Sequence, residues 1–149
     1  MACENTWEKI AGKIINDNSF CIMTEQQRKL LYIKKLSTSL NPEIRTLYVG
    51  QRFKNAERTG DDKAAVGSSW KEYWQIFTLE DFPKTCLFCG LPMKEDEVDG
   101  CHIKIMGLGL LGRWSDKKYI IPGHHGCNMQ LGEEFNAKIS VKAVEAIEK

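Results

Sequence analysis

Thr85-Cys86-Leu87-Phe88-Cys89 and His124-His125-Gly126-Cys127-Asn128 are the two stretches from which the fold reads outward. Each sets two soft ligands three positions apart, and two such turns complete the tetrahedral shell that zinc takes from thiolates and imidazoles. A lone C-x-x-C is a weak signal, whereas two paired sets bracketing a run of short strands form a strong one. The expected ligands of a structural Zn²⁺ are therefore Cys86, Cys89, His124 and Cys127. His125 rivals His124, because adjacent rings leave the choice to loop geometry. The alternatives are a site that draws on Cys101 and His102, and a reduced cysteine pair in a packed core.

The rest of the chain sets the context. Its 149 residues suit one domain, or one domain with a small metal-stapled module, and 42% hydrophobic with 28% charged content is ordinary for a globular protein. No apolar run approaches the roughly 20 residues that a membrane helix needs, and the opening Met1-Ala-Cys-Glu-Asn-Thr-Trp7 has no secretory pattern. We therefore expect no membrane partner and an intracellular setting, cytoplasmic or nucleoid/nuclear. Thiols stay reduced there, so six cysteines read as metal ligands plus spare thiols rather than as disulfides.

A net charge of +1 carries no global nucleic-acid signal. Its distribution says more. Between Glu25 and Arg58 eight basic residues face three acidic ones, a local net of +5 that can follow a phosphate backbone or form a solvated helix face.

Helical periodicity dominates the first half. Trp7, Ile10, Ile14 and Ile15 predict a helix over Thr6 to Asp17, and Thr24-Glu-Gln-Gln27 reads as a capping box opening a second helix to about Leu40. Glu43 to Phe53 is moderately helical after Asn41-Pro42. Residues 57 to 69 read as a turn-rich loop. Ser69 can cap a helix whose Trp70, Tyr73, Trp74 and Phe77 form one aromatic stripe. Such a stripe is core by default, although aromatic rings can also stack on bases. A final helix is expected from near Cys127 through Leu131 and Phe135, and a last one over Val141 to Glu148. The glycines of Gly107-Leu-Gly-Leu-Leu-Gly112 do not lead from a strand into a helix, so they form a flexible loop rather than a nucleotide cradle.

The order C-x-x-C, then x-His-Ile at 101–103, then His-x-x-Cys-Asn resembles the HNH nuclease superfamily, and within it the phage recombination endonuclease VII type. The likeness covers residues 84 to 135. It implies that His102 deprotonates the attacking water, work that suits a neutral imidazole. It also implies that Asn128 helps to hold a catalytic Mg²⁺ or Mn²⁺ at the scissile phosphate. Two departures stand out. Cys101 occupies a position where active members carry a carboxylate or histidine, and thiolate is a poor partner for a hard cation. Asp99, on the same side of a strand, can substitute. The stretch Lys117 to Pro122 offers no asparagine to brace the loop.

The expected fold class is accordingly α+β: a mainly helical N-terminal part over residues 1–82, binding nucleic acid or a partner, then a zinc-stapled ββα-metal module, treble-clef and HNH-like, over 83–149. Two functions fit. One is a metal-dependent DNA endonuclease with His102, Asn128 and Asp99 as catalytic residues and Arg113, Lys117 and Lys118 against phosphates. The other is a catalytically degenerate zinc module that binds nucleic acid or protein, for example as a phage or mobile-element accessory factor. A homodimer is a further expectation from the resemblance. A third reading is a zinc finger on a helical interaction domain.

Overall fold

The computed structural model describes residues 24–149 apart from 26, 30, 32–39, 58, 61 and 108–111. The chain divides into two units, Met1–Asn41 and Pro42–Lys149. In the first, the helix expected over 6–17 lies outside the described residues. The capping box is present: the Gln27 amide donates to Thr24 Oγ1 at 3.1 Å and Gln27 Oε1 accepts from the Thr24 amide at 3.0 Å.

The second unit is built on one antiparallel sheet. Its strands are β1 (Ile44–Leu47), β2 (Arg52–Asn55), β3 (Val98–Ile105), β4 (Tyr119–His124), β5 (Glu134–Asn136) and β6 (Val141–Glu145), in the order β1-β6-β4-β3-β2-β5. Among the described residues two α-helices accompany it, α1 (Trp70–Thr78) and the single turn α2 (His125–Asn128), with a 3-10 turn at Glu95–Glu97.

This corrects the mainly helical N-terminal part expected from the sequence. Glu43 to Phe53 holds β1 and β2 instead of a helix, divided by a turn in which Gly50 takes φ +84°. The helix expected through Phe135 stops at Asn128, and the chain continues as β5 after Gly132 at φ +77°. Val141 to Glu145 is a strand paired to both β1 and β4. In each case the apolar spacing fits helix and strand alike, and a backbone partner elsewhere in the sheet decides.

Strand alternation gives the sheet two distinct faces. Cys101, Ile103 and Ile105 of β3, with Phe53 opposite Ile105, line one face. Phe88 covers it from the 86–93 loop, stacked edge-on to Phe53 and Phe135 with centroids 4.9 Å apart in each pair. Gly123 permits this approach, since a Cβ there would sit 2.5 Å from the Phe88 ring.

The opposite face carries α1. Ser69 caps this helix by accepting from the Glu72 amide at 3.2 Å, and Tyr73, Trp74, Ile76 and Phe77 are buried, so the aromatic stripe is core. Polar ends of the rings pin it to β6: Trp74 Nε1 donates to the Lys142 carbonyl at 2.7 Å and the Tyr73 hydroxyl to that of Glu145 at 2.5 Å. Gly100 lets the helix start lie directly on β3, because a Cβ there would collide with the Trp70 and Lys71 backbone. Among the described residues no helix is long and apolar enough to cross a membrane.

Candidate metal centre

Cys86, Cys89, His124 and Cys127 meet at the end of the β3–β4 hairpin, with all their ligand atoms within 4.8 Å of one another. Regular tetrahedral zinc at Zn–S bonds of about 2.3 Å needs sulfurs about 3.8 Å apart, so the cluster is of the right size. Its first half is a tight knuckle: the Gly90 amide donates to the Cys86 carbonyl at 2.8 Å, and the Cys86 amide to Leu91 at 2.9 Å. Gly90 takes φ +75°, which turns the chain back at this point. The second half follows from β4 running straight into α2, so that His124 ends the strand and Cys127 sits on the helical turn.

His124 is oriented from both sides of its ring. Nδ1 lies 3.3 Å from Cys89 Sγ, while Nε2 faces the Pro92 carbonyl at 3.1 Å and Glu97 at 3.4 Å. A proton held on Nε2 by that carbonyl leaves the Nδ1 lone pair for an ion, the outer-shell pattern of metal-binding histidines. Its neighbour points elsewhere: His125 Nδ1 approaches Asp99 Oδ2 at 2.6 Å.

The electrostatics of the thiols are compatible with a bound cation. Burial raises Cys127, and the charges of Cys86 and Cys89 beside it push it further, to about 12. For Cys89 burial acts upward too, but the Leu91 amide and the His124, Cys86 and Cys127 side chains outweigh it and bring the thiol down to about 7. Three sulfurs this close cannot all ionise alone; a divalent ion that binds thiolates removes the conflict. The donor set, three sulfurs and one imidazole, fits structural zinc, which Cys86, Cys89, Cys127 and His124 Nδ1 would hold.

Family models, curated proteins and solved structures were compared with the chain, and none matches it.

The three residues expected to act on substrate are divided between the faces of β3. Asp99 lies on the Cys101 side, where its Oδ2 also accepts from Asn128 Nδ2 at 3.2 Å. Asp99, His125 and Asn128 thus form one partly exposed polar group at the start of β3 and on α2. His102 points the other way. Its ring packs edge-on against Trp70 with centroids 4.5 Å apart, it is 6% exposed, and Nε2 has no hydrogen-bond partner among the described residues. Burial pulls its pKa down to about 4, with Asp62 acting upward and Lys118 downward, so the ring is neutral near pH 7. Cys101 is also buried; its thiol is held well above the usual range by burial, then by the charges of Asp99, Cys86 and Cys127.

The expected phosphate contacts differ among themselves. Lys117 is held by Glu145 at 2.8 Å and Glu43 at 3.4 Å, and Lys118 lies 3.9 Å from Asp62. Arg113 is exposed. Sequence reading missed Asn55, a buried side chain on β2 whose Nδ2 donates to the carbonyls of Cys127 and Gln130 at 2.9 Å each. It braces the turn that carries Cys127 and Asn128. Only a polar residue amid the apolar positions of a strand hinted at it.

Proposed function

We infer that this chain is a zinc-stapled, HNH-like module whose work is binding rather than hydrolysis. The observation that carries the reading is the state of His102. A general base must reach the water it deprotonates, or reach it through one other water. Here that imidazole lies under Trp70 on the face away from Asp99 and Asn128, while the four ligands stand assembled at the hairpin end. The zinc-type donor set supports the staple, and the covered base supports the loss of cutting.

Supercoiled plasmid incubated with the protein and Mg²⁺ or Mn²⁺ tests it. The expected result is no nicking by the parent chain. Nicking that His102→Ala abolishes, with zinc content and fold preserved, would refute the reading.

One observation favours a second reading. Asp99, His125 and Asn128 form a hydrogen-bonded group facing solvent, and carboxylate, imidazole and amide oxygen suit a hard cation. If that group hydrolyses phosphodiesters, nicking survives His102→Ala and disappears in Asp99→Asn and Asn128→Ala.

A further inference from the structure

Arg52 and Lys54 of β2 share a sheet face with Lys104 of β3, because Lys54 stands directly opposite Lys104 and side chains alternate along each strand. Met106, two residues beyond Lys104, bridges to Trp114. The indole therefore joins the cations: Lys54 Nζ lies 4.5 Å from its centroid and Arg52 Cζ 5.9 Å. Arg113 precedes it in the chain and is exposed. Glu134 neutralises Arg52. Among the described residues no carboxylate lies within 4.0 Å of Lys54, Lys104 or Arg113.

Like charges directly opposite on antiparallel strands repel and weaken the pair. Lysines at a sheet margin have an ordinary use, since they deter pairing with another sheet. That use does not apply here, because β2 and β3 are interior strands, flanked by β5 and β4. Glu134 also stands directly opposite Lys54, across β2 and β5, but its carboxylate is bridged to Arg52, so a bound polyanion would supply the negative charge that Lys54, Lys104 and Arg113 lack. The indole among these cations narrows the choice of polyanion. Its ring is half-buried and carries Lys54 over one face, and a base stacked on the part still open would use ring and cations together, which an acidic peptide would not.

We propose that this face binds single-stranded nucleic acid, with phosphates against Lys54, Lys104 and Arg113 and one base against Trp114. The proposal rests on the binding-module reading and names its partner. It leaves Lys117 and Lys118 outside the site, held by Glu43, Glu145 and Asp62.

Anisotropy of a labelled oligothymidylate, titrated with the zinc-loaded full chain across a salt series, tests it. Lys54→Gln with Lys104→Gln should flatten the dependence of log K on log salt by about 1.4, at about 0.7 for each phosphate no longer neutralised. That double variant should melt close to the parent, since the lost Lys54–Lys104 repulsion offsets the lost Lys54 contacts with Trp114 and Glu134. Trp114→Leu should weaken binding about tenfold at fixed salt and leave the slope unchanged. Lys117→Gln should change neither. Binding that the double variant leaves intact overturns the proposal, as does polyglutamate or a duplex competing as well as the single strand. Zinc measured in every variant keeps the two readings apart. A zinc-free chain that binds through Lys54 and Trp114 defeats the zinc staple alone; a zinc-loaded chain that ignores the oligonucleotide defeats the binding face alone.

Discussion

On one face of the sheet a short knuckle lies over Phe53 and Cys101, and on the other a nine-residue helix lies over Gly100 and His102. Both coverings approach β-strand backbone closely through a glycine, yet different forces hold them. The helix buries Tyr73, Trp74, Ile76 and Phe77, each worth about 1.5–3 kcal/mol when fully removed from water. The knuckle buries Leu87 and Phe88 and otherwise gathers three thiols that repel one another once ionised. Apolar area secures the helix side, whereas on the knuckle side the Phe53–Phe88–Phe135 rings are joined by a cluster of thiols and imidazole compatible with a structural metal. The same division accounts for the chemistry: sulfur and carboxylate gather on the knuckle side, whereas the lone imidazole of β3 is sealed beneath the helix.

Removing the ion should break this comparison most severely. Zinc binding is worth about 10–16 kcal/mol in small finger peptides, comparable to the whole stability of a domain. Cys127→Ser, or a strong chelator, should abolish zinc binding and lower the melting temperature steeply. Amide exchange should rise first across 86–93 and 124–130 and last in α1. A melting curve unaffected by chelator would mean that apolar packing holds both sides.

The two glycines sharpen the contrast at smaller scale. Overpacking costs about 1–3 kcal/mol, more where backbone obstructs. Gly100→Ala meets the Trp70 carbonyl carbon and the Lys71 nitrogen, so it should cost about 3 kcal/mol with no single side-chain remedy. Gly123→Ala meets a ring, and Phe88→Leu in the same chain should recover part of its cost of about 2 kcal/mol. Denaturant midpoints of the three variants check this. Equal losses with no recovery would remove the distinction.

The smallest effect concerns His102. Its pKa falls from 6.5 to about 4 on folding because burial disfavours the charged ring. The unfolded chain therefore binds more protons between those values, so stability is full above about pH 6.5 and drains away as pH falls toward 4. The loss is about 1.4 kcal/mol at about pH 5.5. His102→Leu, which keeps every metal ligand, should lack that portion of the acid sensitivity when the two chains are melted in matched buffers. Identical profiles would show that the ring is solvated.

Signals confined to neighbouring residues were readable in advance. The paired ligand spacings, the Thr24–Gln27 box and the Ser69-capped aromatic stripe each depend on residues three or four positions apart. Gly50 and Gly132 also interrupt the helical patterns, and their positive φ separates β1 from β2 and β5 from α2. Nothing local distinguishes β6 as a strand, because Val141 and Val144 fit a helical repeat while Val141 and Ala143 fit an extended one. Its pairing with β1 and β4 comes from residues far away in the chain.

The sequence by itself determined the donor types and their paired spacings, with His124 and His125 still rivals, since ligand chemistry and turn spacing belong to short stretches of chain. Tertiary structure alone decided the rest. Strand alternation placed Asp99 and His102 on opposite faces, α1 covered the imidazole, and Asp99 drew His125 away from the sulfurs while Pro92 and Cys89 oriented His124. It also set Lys54 against Lys104 across two interior strands. Direction and burial are properties of the assembled sheet, and no short window of residues contains them.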